Sequence, residues 1–149
     1  MHIDINCDMG EGIGNDEAIM PFITSANIAC GYHAGDEETM GATILLAKGY
    51  GVRIGAHPSF FDRENFGRTE MKRSPEEVYD LLQKQLLLFK KTADECGTAI
   101  HHVKPHGALY NMAARDKDMA AAVANAVKDF DASVILFGLS GSHSITEAA

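Results

Sequence analysis

Five residues of this 149-residue sequence combine reactive side chains with a shared placement: Asp8, His33, His57, Lys104 and His106 each stand where a short apolar run gives out. Carboxylates and imidazoles can act as general acids and bases or ligate a divalent ion. Asp8, His33, His57 and His106 are therefore the candidate metal ligands, although no HxH or HExxH spacing links them. A lysine turned into a protein interior either pairs with a carboxylate or has a depressed pKa. Lys104 could polarise a carbonyl, stabilise an oxyanion or serve as a base. A structural ion pair with Asp4 or Asp8 is its alternative reading. Asp8, Lys104 and His106 form the candidate catalytic set. Arg68, at the end of NFGR (Asn65–Arg68), could clamp a substrate carboxylate bidentately or sit solvated in its loop. With Asn6, Glu11, Asn27, His33 and His57 it makes the candidate substrate-binding set.

These residues need elements to bring them together. Short apolar runs, at 2–7, 26–30, 52–57, 101–105 and 133–138, alternate with helical patterns. That alternation predicts an α/β domain with a parallel sheet, and the length predicts one domain over residues 1–149. Asp36 can cap a helix that runs to about Lys48, with Gly49 as its stop. Ser74-Pro75-Glu76-Glu77 is a capping box with proline at the first helical position. It opens a helix with Val78, Leu81, Leu82, Leu86, Phe89, Ala93 and Cys96 on one face. Asp116 can cap a further helix with Met119, Val123 and Val127 inward, and 142–149 reads as the opening of another.

Side chains alternate along a strand. Asp4, Asn6 and Asp8 share one face of the first run, opposite Ile3, Ile5 and Cys7. Asn27, Ala29, Gly31 and His33 share a face of the second if the chain stays extended. His57 follows Arg53 and Gly55, and His102, Lys104 and His106 follow one another. An open doubly wound sheet is apolar on both faces, whereas the first three runs are polar on one. A β/α barrel accounts for this better, with apolar side chains toward the helices and polar ones inward. Its chemistry gathers at the C-terminal ends of the strands, where the five reactive residues stand. Five strands cannot close such a barrel, so the expectation is a truncated barrel, incomplete at its C-terminus, with exposed sheet edges that invite pairing with another copy.

Composition removes several function classes. The net charge is −8 and no Lys/Arg cluster occurs, which disfavours nucleic acid. No apolar run reaches the ~18 residues of a membrane span. The N-terminus lacks the charged and apolar regions of a signal peptide, so a cytoplasmic location is expected. The three cysteines show no CxxC spacing and read as reduced, buried thiols. GEGIG (Gly10–Gly14) matches neither a dinucleotide fingerprint nor a P-loop. GLSGS (Gly138–Ser142) is a weak anion-site signal.

Five stretches together resemble the LamB/YcsF family: DINCDMGEGIG (4–14), SANIACGYHAGD (25–36), GAHPSFFDRENFGR (55–68), VKPHGALYN (103–111) and FGLSGS (137–142). The resemblance implies a (β/α) barrel of the glycoside hydrolase/deacetylase type. It also implies ATP-dependent opening of 5-oxoproline to glutamate together with two partner subunits, B and C, with ATP as co-substrate on the partners. On that reading Asp8 or His106 activates water, Lys104 stabilises developing charge, His33 and His57 orient substrate or water, and Arg68 holds the substrate carboxylate. Two alternatives stand beside it: a metal-dependent deacetylase or amidohydrolase without ATP, and a non-catalytic binding subunit or inactive fragment.

Overall fold

The computed structural model describes residues 3–148, apart from the side chains of Ile145 and Ala148. Five parallel strands lie side by side in sequence order: β1 (Asn6–Met9), β2 (Ser25–Ala29), β3 (Arg53–His57), β4 (Ile100–Val103) and β5 (Ile135–Leu136). Six α-helices connect or follow them among the described residues: α1 (Asp16–Ile19), α2 (Glu37–Tyr50), α3 (Pro75–Glu95), α4 (Gly107–Arg115), α5 (Lys117–Phe130) and α6 (His143–Ala148). This is the strand-by-strand order of a β/α barrel wall, as the alternating runs predict.

Register separates the two faces. Asp8 pairs with Asn27, Asn27 with Gly55 and Gly55 with His102, so these four point to one side of the sheet. Met9, Ile28, Ala56 and Val103 form the next row and point to the other. That second face is the core: Met9, Ala26, Ile28, Ile54, Ala56 and Val103 are all buried against Met40, Ile44 and Ala47 of α2 and Leu86, Phe89 and Ala93 of α3. Burying each large aliphatic or aromatic side chain there contributes ~1.5–3 kcal/mol. A second apolar cluster, around Phe60, Leu82, Leu109 and Val123, binds α3, α4 and α5 together.

The polar face curls inward. In a flat sheet β1 and β4 would stand three strand spacings apart, about 14 Å. Yet Lys104, one residue past β4, places its Nζ 2.8 Å from Asp8 Oδ1 on β1. Gly55 on β3 lies beneath the His102 ring, and a Cβ there would overlap the imidazole.

Helix punctuation follows the sequence closely in α3. Ser74 accepts from the Glu77 N–H, Glu77 reaches back to the Ser74 N–H, and Pro75 occupies the first turn. Leu81 and Cys96, expected on its inner face, are only half-buried. Asp36 caps α2 by accepting from the Thr39 N–H at 2.8 Å.

Several expectations shift. α2 runs past Gly49 to Tyr50 and ends at Gly51, φ 70°, because the left-handed cap falls on the second glycine rather than the first. β1 starts at Asn6, leaving Ile3 and Ile5 exposed at 76% and 53%. The alternation before it is not used for burial, because Asp4 instead accepts from Thr24 Oγ1 and Ser25 Oγ. His2, the start of that expected run, lies outside the described residues, as does Ala149 at the end of the chain. β5 shrinks to Ile135–Leu136. Cys30 is buried, while Cys7 and Cys96 are half-buried, and all three are free thiols. Among the described residues no helix is long and apolar enough to cross a membrane.

Candidate active site

The strand ends and the loops after them assemble two linked groups. The first is an ion pair with its supports. Asp8 Oδ1 accepts from Lys104 Nζ and from Asn27 Nδ2, both at 2.8 Å. Asn27 also donates to Asn6 Oδ1 at 2.8 Å, and its own Oδ1 accepts from His102 Nε2 at 2.7 Å. Burial works to raise the Asp8 pKa, but His57, Lys104 and Asn27 overcome it and hold the carboxyl well below the usual carboxylate range. Lys104 is thus paired, and it still opens onto a cleft of about 330 Å³ lined by Asn6, Tyr110, Leu136, Phe137 and Gly138. The ion pair with Asp8, one of the two readings the sequence allows for Lys104, is formed.

The second group is a cluster of imidazoles. The rings of His33 and His106 stack at 3.8 Å between centroids and 5° between planes, and His57 stands edge-on to both. All three are buried, at 2%, 6% and 1% exposure for His33, His106 and His57. His57 Nδ1 donates to the Lys104 carbonyl at 2.6 Å, and His106 Nε2 donates to the Phe66 carbonyl at 2.8 Å. His33 Nδ1 lies 2.9 Å from Ser59 Oγ, and its Nε2 lies 3.2 Å from Glu11 Oε1. The inner nitrogens of the three rings and a Glu11 oxygen all fall within 4.8 Å of one another. Asp8 joins from the side, with Oδ2 at 3.3 Å from His57 Nε2. Burial above all, then the neighbouring imidazoles, pushes His106 down to about 4. His33 is also lowered, with burial outweighing the pull of Glu11.

Loops do much of this positioning. β2 ends at Ala29 and Gly31 turns the chain at φ 86°. His33 therefore does not continue the strand's polar face as expected; the loop brings it in. The segment after β3 wraps the cluster, and Gln85 of α3 pins it by accepting from the Ser59 N–H and donating to the Ser59 carbonyl. Gly67 lies directly under the stacked rings: a Cβ there would stand 2.9 Å from His33 Cβ and 3.0 Å from His106 Cδ2. His106 itself is the N-cap residue of α4, a helix that the proline and glycine around it conceal in the sequence.

Eight of the sequence-derived candidates, Asn6, Asp8, Glu11, Asn27, His33, His57, Lys104 and His106, come together in this region. Arg68 is exposed at the margin of the group, its guanidinium 5.4 Å from the centroid of the Phe66 ring, which stands edge-on to His33 and His106. Sequence reasoning also misses Ser59, Gln85, Tyr110 and the Phe66 carbonyl. His102 is visible on the inward face of its run, yet its residue type alone does not select it. It is fully buried beneath the site and stacked on Phe137 at 4.3 Å.

The arrangement offers two carboxylates, one ammonium and three imidazoles, with the ammonium of Lys104 lining a small cleft, which suits hydrolytic chemistry at a carbonyl or the binding of a cation. The LamB/YcsF family profile matches residues 3–149. The chain belongs to the LamB/YcsF family. Among its LamB/YcsF relatives, the 5-oxoprolinase A subunit of Staphylococcus carnosus (strain TM300) is 54% identical over 99% of this chain and 61% of that protein. The protein of the same name from Bordetella pertussis is 50% identical over 98% of this chain and 60% of its own length. The crystal structure of the lactam utilization protein from Thermus thermophilus matches at a TM-score of 0.97 and 44% identity, covering 99% of this chain and 62% of that one. This chain thus spans about three fifths of the LamB/YcsF relatives it matches.

Proposed function

We propose that this chain supplies the lactam-binding part of an ATP-dependent 5-oxoprolinase, which opens 5-oxo-L-proline to L-glutamate. The observation that carries the reading is the Asp8–Lys104 pair at the mouth of the strands, beside a cleft and a histidine cluster. The names of the relatives, 5-oxoprolinase A subunit and lactam utilization protein, support it. In this reading ATP is handled by two partners, the B and C subunits, and the assembly works in the cytoplasm.

A five-membered lactam is a poor electrophile. Phosphorylation of its amide oxygen by ATP makes the ring carbonyl carbon attackable and gives phosphate a route out. Water then adds to that carbon, the ring C–N bond breaks as the amine takes a proton, and the resulting γ-glutamyl phosphate is hydrolysed by a second water to glutamate and phosphate. Lys104 is the group suited to stabilise the oxyanion, because its ammonium already faces the cleft. Asp8 holds Lys104 in place. Asp8 or His106 takes the proton from water. His33 and His57 orient water or substrate, with Asn6, Asn27 and Glu11 completing the polar wall. Arg68, on the Phe66 ring that borders the histidines, is the candidate for the substrate carboxylate.

The test uses the complete protein with both partners. Lys104→Ala is expected to lose glutamate release at least ~100-fold while its circular dichroism and melting transition stay native-like. Unchanged turnover would remove Lys104 from the mechanism. The histidine cluster favours one second reading, a metal-dependent amide hydrolase that needs no ATP. ATP-independent turnover abolished by a chelator would select it.

A further inference from the structure

The hydrogen bonds around two of the three imidazoles fix where their protons are. A backbone carbonyl can only accept, so His57 carries its proton on Nδ1, facing the Lys104 carbonyl at 2.6 Å. By the same rule His106 carries its proton on Nε2, facing the Phe66 carbonyl at 2.8 Å. The two remaining nitrogens, His57 Nε2 and His106 Nδ1, then point bare lone pairs at each other across 2.9 Å. That contact has the length of a hydrogen bond and, with both rings neutral, no hydrogen to make it. Asp8 Oδ2 stands 3.3 Å from the first nitrogen and Glu11 Oε1 4.0 Å from the second, adding negative charge to the same small space.

His33 is the adjustable member. Ser59 Oγ can donate to the Phe60 carbonyl at 2.9 Å and accept from His33 Nδ1, which turns a third lone pair, on Nε2, toward Glu11. With Ser59 turned the other way, His33 Nε2 donates to Glu11 instead. Only a cation resolves the His57–His106 contact. A single proton satisfies one pair of atoms, whereas the inner nitrogens of three rings and two carboxylate oxygens converge here.

We propose that Glu11, His33, His57 and His106 form a site for one divalent transition-metal ion, with Asp8 as an accessory oxygen. The ring nitrogens that do not face the ion are held by the Lys104 carbonyl, the Phe66 carbonyl and Ser59, which is the outer support that metal-binding histidines use. The 2.9 Å spacing of the fixed pair is close to the ~3.0–3.4 Å between neighbouring ligands around an ion with bonds of ~2.1 Å. A donor set of three imidazoles and a carboxylate selects zinc, cobalt or manganese over calcium or magnesium, which prefer all-oxygen shells. Binding by this cluster stands independently of the lactam reading and is measured without turnover.

The experiment is calorimetric titration of the metal-stripped chain with Zn²⁺, and with Co²⁺ as a visible-light reporter. One ion per chain is expected, with a raised melting temperature. His57→Ala and His106→Ala should each lose it, while exposed His143→Ala binds as before. Should either variant fail to fold, Glu11→Gln, on a loop, is expected to weaken binding at least ~10-fold, and Ser59→Ala by about 10–100-fold. Overturning results are no saturable binding at millimolar metal, or equal binding by all variants. Nitrogen NMR offers a separate refutation: a proton on both nitrogens of His57 at pH 8 that Zn²⁺ leaves in place.

Discussion

His102 shows how a single buried imidazole sets a pH limit on the molecule. Burial, then the neighbouring His101, pushes it down to about 4, against the opposing pull of Asp4. The unfolded chain takes up this proton near pH 6.5, while the folded chain resists until about pH 4. Between those values the unfolded state holds more protons, so stability falls as the pH falls. The loss reaches the order of 2–3 kcal/mol from this group by pH 4. Urea midpoints measured from pH 7 to 4.5 should decline less steeply in His102→Gln than in the parent chain. The residues of the site are partly legible in the sequence. Asn6, Asp8, Asn27, His57 and Lys104 declare themselves because strand alternation puts them on one face. Ser59 and Gln85 do not, since a loop serine bound through a helix glutamine has no periodic signature. Arg68 is less legible, because residue type says what a guanidinium can bind and nothing about how its loop places it.

Among the elements, α3 is the most legible and the easiest to perturb on purpose. Its capping box sits on the surface, remote from the histidine cluster, so Ser74→Ala should cost ~1 kcal/mol. A lower urea midpoint with an unchanged slope would register that loss. No change would mean that water replaces the cap at no penalty. α4 is the opposite case. Pro105 and Gly107 are helix breakers by type, yet they bracket the N-cap residue His106, and Ala108, Leu109 and Ala113 are buried behind them. The signal for this helix is its small-residue apolar spacing, which a glycine at the first position obscures. β1 illustrates a subtler point. It starts later than its alternation predicts, but the parity of its faces holds, so the inward assignment of Asn6 and Asp8 survives.

At the scale of the molecule, β1 and β5 are the two edges of the described sheet. Ile135 on β5 is 49% exposed and Leu139 just beyond it 48%. Edge backbone beside exposed aliphatics is a template for another strand. The 149-residue chain is therefore expected to self-associate with rising concentration, and Ile135→Lys should shift it toward monomer in light scattering. A monomer at all concentrations would show that β5 is too short to pair. The barrel-wall architecture itself is legible because polarity on one strand face and apolarity on the other leave few alternatives.

The bond from Lys104 to Asp8 spans 96 positions of chain. It also crosses from β4 to β1, so it can close only after the intervening strands have found their register. Local helices need no such wait, and loop closure over so long a span is slow to be rewarded. The polar group around Asp8 and Lys104 thus rests on contacts far more distant in sequence than those within any helix. On the ribosome, residues 1–103 can assemble much of the outer apolar layer before Lys104 is in reach.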